Sequence, residues 1–297
     1  MEIRRIIVGV DFSEQSEIAA VEALAIARHT GASITAVHVG VVMRDLGSIA
    51  PASAHQWERV LQERAKEDKK QLDGLVSRLD GHGVEISQLI VDDGPAEGVC
   101  KSAAQVDADL VVVGTHGRTA LTRFFLGSVA ERVVRTCERS VLVVREGGKA
   151  EGGYHSLLVP TDFSEHAEAA LRQAVVLVAP GGSVELVHFW SPPIVPGGGF
   201  GESAMVSLPD EHRSGADEAG RKLVEKYRNS RCELTYESVE AGASYGVVDR
   251  TAARDYDAII MGSHGRRGFR HFLLGSVAER VVRHAPCSVM VVHLPRK

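Results

Sequence analysis

No apolar run in this sequence approaches the roughly 20 residues that a membrane-spanning helix needs. The opening residues, Met1-Glu-Ile-Arg-Arg, carry no signal-peptide pattern. An excess of positive charge is missing too. The formal net charge is −5, which argues against a general nucleic-acid binder or a polybasic membrane binder. Cysteine is scarce: Cys100, Cys137, Cys232 and Cys287 are scattered, with no Cys-x-x-Cys pair. They read as reduced packing residues, and a cytoplasmic setting is expected. No His/Cys cluster has metal-ligand spacing, so no metal site is expected. Two familiar phosphate signatures are also absent, the P-loop with its Gly-Lys-Ser/Thr and the dinucleotide Gly-x-Gly-x-x-Gly.

What the chain does contain is a repeat. Gly114-Thr-His-Gly117 is followed after nine residues by Gly127-Ser128-Val-Ala-Glu-Arg-Val-Val. Gly262-Ser-His-Gly265 is followed after nine residues by Gly275-Ser276-Val-Ala-Glu-Arg-Val-Val. Each copy follows a short apolar run and leads into a helical pattern. Strand, glycine-rich loop and helix start together point free backbone N–H groups and a positive helix end at an anion. Ser128 and Ser276 are placed to cap those helices. A lone Gly-x-x-Gly would be an ordinary turn; the recurrence of glycines, gap and Gly-Ser ending predicts a phosphate loop present twice.

The rest of the chain alternates strand and helix in two rounds. At 297 residues, 44% hydrophobic and 25% charged, it has the composition of a soluble globular protein and length for two domains. Ile3 to Val10 is a short, largely apolar, β-branched strand ending in Asp11-Phe-Ser-Glu14, with Ser13 capping a helix over 14–29 that Gly31 closes. Further strands are expected at 33–39, 84–91, 110–114 and 140–145, and helices at 57–79, 95–105 and 128–136. Trp57 to Leu79 forms an amphipathic stripe expected to be core. Gly40 to Ser53 has no period and reads as a loop. The Gly-rich stretch 146–153 reads as a flexible boundary, giving domains 1–146 and 154–297 with a linker at 147–153. The second round has strands at 156–160, 183–189, 232–240, 258–262 and 288–293. Its helices fall at 167–179, 209–229, 245–255 and 276–284, with a Pro180-Gly-Gly182 turn and a Pro/Gly-rich loop at 192–201. The expected fold class is α/β: two repeated, open, parallel five-stranded sheets with helices on both faces, Rossmann-like and of the kind that binds nucleotides. Asp11, Val39 and Gly114 end strands of the first half; Asp162, Phe189 and Gly262 end strands of the second. Ligands in such sheets bind at those ends, where strand order reverses.

These residues together resemble the universal stress protein family, over nearly the whole chain and as a tandem of two domains. Both halves match its Gly-x2-Gly-x9-Gly-Ser/Thr signature, its first-strand aspartate and its Val-His ending of strand two. The resemblance implies a stress-response sensor or regulator that binds ATP, ADP or AMP, with Mg2+ accompanying the nucleotide. Carried over, Asp11 and Asp162 face ribose or adenine, and the backbones of Val39 and Phe189 hold the adenine edge. Gly114, Gly117, Gly127 and Ser128, with Gly262, Gly265, Gly275 and Ser276, hold ribose and phosphates. Val129 and Val277 add helix-start amides. The resemblance also implies pairing of domains through their fifth strands, here within one chain or in a homodimer. One departure is Ala120, where the second loop has Gly268; if that position needs positive φ, the first loop is distorted.

Blander readings stand beside these. Asp11 and Asp162 could cap the following helices instead. Arg118 and Arg123, with Arg266, Arg267 and Arg270, could clamp phosphates or form a solvated loop. His116 and His264 lack the partners of a catalytic triad and suit packing or hydrogen bonding; no catalytic residue is assigned. His38 and His188 read as satisfied core histidines. A slow ATPase or phosphotransferase is the enzymatic alternative, but no acidic residue lies within the loops to hold the metal such chemistry uses. A nucleotide-free scaffold acting through protein partners is the third.

Overall fold

Apolar, β-branched runs without polar alternation are stable only where both faces of a strand are covered. The first such run, Arg5–Val10, forms β1 with Ile7 and Val8 wholly buried. In this computed structural model the described residues are 2–40, 54–79, 83–115, 126–145, 153–191, 207–265 and 274–294. The chain divides into two units, Glu2–Gly152 and Gly153–Leu294.

In the first unit, β1 is followed by α1 (Glu14–Thr30), β2 (Ser33–Gly40), α2 (Ala54–Leu79), β3 (Ile86–Asp92) and α3 (Pro95–Gln105). Then come β4 (Leu110–Gly114), α4 (Ser128–Thr136) and β5 (Ser140–Val144). The strands lie in the order β3-β2-β1-β4-β5, and every pairing is parallel. Helices α1 and α2 pack together on one side, α3 and α4 on the other. The caps explain the helix limits. Ser13 Oγ accepts the Ser16 N–H at 3.2 Å, and Gly31, at φ 76°, turns the chain out of α1 with its N–H on Ala27 O. Pro95 occupies the first turn of α3, where its missing N–H costs nothing.

The second unit repeats the plan with β6 (Tyr154–Pro160), α5 (Glu165–Leu177), β7 (Val178–Trp190), α6 (Ser207–Tyr227) and β8 (Glu233–Glu240). It closes with α7 (Ala243–Ala253), β9 (Ala258–Gly262), α8 (Ser276–His284) and β10 (Ser288–Val292). Its strand order is β10-β9-β6-β7-β8, again parallel throughout.

Two expectations are corrected. The helix expected to reach Ala179 stops at Leu177: Pro180 bars Ala179 from the α region, and Val178, extended at ψ 135°, is taken into the sheet. Val178 then already pairs with Tyr154, and the Pro-Gly-Gly turn becomes an irregularity inside β7, with Gly181 at φ 80° donating to Arg231 O at 2.7 Å. The stripe expected to be core throughout α2 is core only in its later turns. Leu72, Leu75 and Leu79 are buried, whereas Val60 is 50% exposed. The linker at 146–152 and most of the loops at 40–53 and 192–201 lie outside the described residues.

Candidate functional site

In each sheet the chain steps outward from the central strand and then returns to that strand's other side. β1 is followed by β2 and β3 on one flank, and β4 pairs with the other, Val8 opposite Val112. β6 and β9 repeat this, with Leu158 opposite Ile259. The crevice at such a switch point lies beyond the carboxyl ends of the two strands. Asp11 directly follows β1 and Gly114 ends β4; Asp162 follows β6 just beyond Thr161 and Gly262 ends β9.

The aspartates do not cap the helices. Serine does so, and aspartate holds the serine. Asp11 Oδ1 accepts the Ser13 N–H at 3.0 Å and its hydroxyl as well, while Ser13 Oγ caps α1. In the second unit Asp162 Oδ1 accepts the Ser164 N–H at 3.0 Å, and Ser164 Oγ accepts the Ala167 N–H at 3.2 Å. Between aspartate and serine stand Phe12 and Phe163, with φ of 61° and 63°. Left-handed backbone in a bulky residue costs on the order of 1–3 kcal/mol and persists only where neighbours enforce it. Here the Phe12 ring lies 4.3 Å from the His38 ring and the Phe163 ring 4.8 Å from His188. His38 Nδ1 donates to Val10 O at 2.7 Å, and His188 Nδ1 to Thr161 O at 2.8 Å. His38 also places Nε2 3.5 Å from Asp68 Oδ2 on α2, both residues buried. The histidines are thus satisfied and brace the carboxylate turn.

The glycines divide by what they touch. A Cβ at Gly114 would stand 2.8 Å from Gln15 O, and one at Gly262 2.8 Å from the His166 backbone, so these two glycines admit α1 and α5 against the strand ends. Gly265 differs: a Cβ there would stand 2.6 Å from Asp162 Oδ2. The second loop therefore begins in contact with the strand-end carboxylate. Gly127 donates its N–H to Thr115 O at 2.7 Å and Gly275 to Ser263 O at 2.9 Å, closing each loop at its base. Thr115 and Ser263 are buried and continue the sheet through N–H bonds to Val144 O and Val292 O.

Gly127 and Gly275 are themselves the N-caps, so Ser128 and Ser276 are first helical residues rather than caps, and no side chain caps α4 or α8. The reason is φ and ψ: both glycines are extended at about the angles an N-cap requires, which places serine one residue inside. Ser128 and Ser276 are exposed, Val129 is 40% exposed and Val277 half-buried. Glu131 and Glu279, in the same first turns, pair with Arg135 and Arg283 one turn on, which offsets their charge near the helix start. Val39 and Phe189 are the last residues but one of β2 and β7. Their side chains pack against glycines of α3 and α7, Gly98 and Gly246.

His264 Nδ1 bonds Ser263 Oγ at 3.0 Å, and its ring lies 5.5 Å from His166. Burial lowers the His166 pKa below 6.5, helped by the charge of His264 and opposed by Glu165 and Asp162. The sequence motifs do not single out His166; its one signal is its place four residues after Asp162, where the first half has Gln15. Gly117, Arg118 and Arg266 lie outside the described residues, as do His116, Arg123, Arg267, Arg270, Ala120 and Gly268. Among the described residues no group of three His, Cys, Asp or Glu could hold a metal ion, and no helix is long and apolar enough to cross a membrane.

Two parallel α/β units, each with a glycine-closed loop and an uncapped helix start at its switch point, define a class of tandem α/β proteins with repeated anion-type loops. Comparison with known proteins is specific. The model of the universal stress protein family matches residues 2–145 and again 153–293, and the chain belongs to that family as a tandem member. A universal stress protein of Mycolicibacterium smegmatis is 30% identical over 299 residues, covering 97% of this chain and 96% of that one. One from Methanocaldococcus jannaschii is 34% identical over 146 residues, covering 49% of this chain and 84% of its own. The crystal structure of a universal stress protein from Archaeoglobus fulgidus shares the fold with a TM-score of 0.66 at 19% identity, over 98% of this chain and 97% of that one.

Proposed function

We propose that the chain binds an adenine nucleotide, ATP or its ADP and AMP relatives, at the switch point of each half, and acts as a stress-response regulator whose state depends on that nucleotide. The observation that carries this reading is the contact of Gly265 with the Asp162 carboxylate beside the uncapped start of α8. An acceptor for ribose hydroxyls and donors for phosphates then stand at opposite ends of one loop. Asp11 and Asp162 serve the ribose or adenine, and the backbones of Val39 and Phe189 the adenine edge. Gly114, Gly117, Gly127, Ser128 and Val129, with Gly262, Gly265, Gly275, Ser276 and Val277, serve ribose and phosphates. Arg118 and Arg266 are assigned to phosphate charge. Mg2+ enters only with the phosphates. A cytoplasmic location, the domain limits 1–146 and 154–297, and association through the fifth strands, within one chain or between two, belong to the same proposal. Limited proteolysis at 147–153 and the particle mass in solution test the last two.

The nucleotide reading is tested by titrating ligand-stripped protein with ATP and Mg2+ and with the Gly265→Val variant. Saturable binding that loses its second-half component in the variant supports it. Unchanged affinity in a folded variant overturns the site.

A further inference from the structure

The two halves differ where the third and fourth helices of each unit meet, α3 packing on α4 and α7 on α8. Glu97 and Tyr245 hold the same place in the two halves, one residue before the glycine that admits a strand-end side chain. Gly98 lies against Val39 and Gly246 against the Phe189 ring. Arg132 and Arg280 also correspond, each in a Gly-Ser-Val-Ala-Glu-Arg run, four residues after Ser128 and Ser276. Residues four apart share a helix face, and helical side chains lean toward the N-terminus. Each arginine therefore stands on the face that ends at the uncapped serine. In the first unit Arg132 forms an ion pair with Glu97, and the two charges neutralise one another. In the second unit the partner is an aromatic ring: the Arg280 guanidinium carbon lies 3.7 Å from the centroid of the Tyr245 ring. The ion pairs around α7 and α8 engage Arg250, Arg254 and Arg283, and Arg280 has none among the described residues.

An ion pair and a stack leave a guanidinium in different states. A carboxylate takes up its N–H edge and cancels its charge; a ring covers one face and leaves the edges and the charge for another anion. Arg280 is half-buried, so solvent screens it less than the exposed Arg132. Building on the nucleotide reading above, we propose that the second half discriminates among adenine nucleotides by phosphate charge, preferring ATP over AMP more strongly than the first half does, with Arg280 held on Tyr245 as the determinant. Ser276 and the first amides of α8 serve the phosphate nearest the helix start, and the in-plane N–H groups of Arg280 serve the phosphates beyond it. A monophosphate has nothing to offer them. The first half, with its arginine neutralised and the Glu97 carboxylate in the tyrosine's place, binds AMP and ATP with closer affinities.

The test is calorimetric titration of the stripped full chain with ATP and, separately, with AMP, each with and without Mg2+. The Gly265→Val background isolates the first half, and its difference from the parent gives the second. The ratio of AMP to ATP dissociation constants is expected to be larger in the second half by about fivefold, the scale of one partly exposed charge interaction. Tyr245→Glu, which copies Glu97, and Arg280→Gln each bring that ratio down to the first-half value, whereas Tyr245→Phe, which keeps the ring, preserves it. Glu97→Gln raises the ratio in the first half and leaves α7 and α8 untouched, so it decides the matter even where a second-half variant fails to fold. A stack that merely ties α7 to α8 would move the melting temperature and not the ratio. Equal ratios in the two halves of the parent, or a second-half ratio unmoved in folded Tyr245→Glu and Arg280→Gln, overturn the proposal and leave the nucleotide reading standing. No binding of either nucleotide overturns both.

Discussion

Gly265 lies so close to Asp162 that a single added carbon would stand 2.6 Å from its Oδ2. The loop after β9 and the turn after β6 are therefore shaped against one another, and side chains at Gly265 act on the carboxylate directly. Gly265 itself is exposed, so the fold does not depend on its smallness.

Gly265→Val is accordingly expected to weaken nucleotide binding at the second half by at least about tenfold, close to 1.4 kcal/mol, while unfolding stays near that of the parent. Titration calorimetry alongside thermal melting separates the two effects. A variant that binds normally and folds normally contradicts the role given to this contact.

Gly262→Ala should behave in the opposite way. Its Cβ would press on His166 backbone at 2.8 Å, and a backbone neighbour cannot step aside cheaply. A loss of about 1–3 kcal/mol in urea unfolding is expected, by the usual cost of overpacking. Gly114→Ala, against Gln15 O, should do the same in the first unit. A fully stable Gly262→Ala would mean that α5 does not pack as described.

The fold was legible because its inner strands β1, β4, β5, β9 and β10 are nearly unbroken apolar runs and its helices carry visible punctuation. The limits of α3, β4, α4, β9 and α8 coincide with the expected ones, fixed by Pro95, by the apolar runs and by the Gly-Ser starts. Where two local signals competed, the sequence was ambiguous. At Leu177 to Ser183, helical spacing argued for two more residues of α5, and strand pairing with Tyr154 won. The site was legible in its residue types and not in its contacts. Nothing in Asp-Phe-Ser says that the phenylalanine adopts φ above 60° or that its ring rests on a histidine of the next strand. Nor does the signature say that Gly114 faces Gln15 while Gly265 faces Asp162, because spacing gives a need for room and not the neighbour that needs it.

His166 gives the second unit a titrating side chain where the first has Gln15. Its folded pKa lies below 6.5, so the unfolded chain binds the proton more readily. Stability is then full above about pH 6.5 and falls as pH drops through the folded value. His166→Gln, which copies Gln15, should flatten this part of the stability–pH curve, measured by urea unfolding of the full chain from about one pH unit above to about one below the unperturbed histidine value of ~6.5. An identical slope in the variant would contradict the assignment.

Arg250 anchors α7 to the sheet through Glu185 and Glu237, with the Tyr256 hydroxyl on Glu185 as well. Burial opposes the Glu185 charge, yet bonds from Arg250 and Tyr256 hold its pKa below 4.5. The contribution is present above that value and lost as pH falls through the folded one. Arg250→Met should destabilise the second unit by about 1–3 kcal/mol, less than a wholly buried pair because Glu237 remains about half-exposed. Unfolding of Arg250→Met at pH 7, followed by the thermal transition of that unit, reads it directly; no change would mean the network is solvated.

The most direct measurement is calorimetric titration of the stripped full chain with ATP and Mg2+, phosphate release being followed in the same sample. The account predicts saturable binding at one or two sites per chain, with negligible turnover and with the second-half component removed by Gly265→Val. Absence of any binding at millimolar ATP, from a protein whose melting is otherwise normal, would contradict it and leave two folded sheets whose loops serve another purpose.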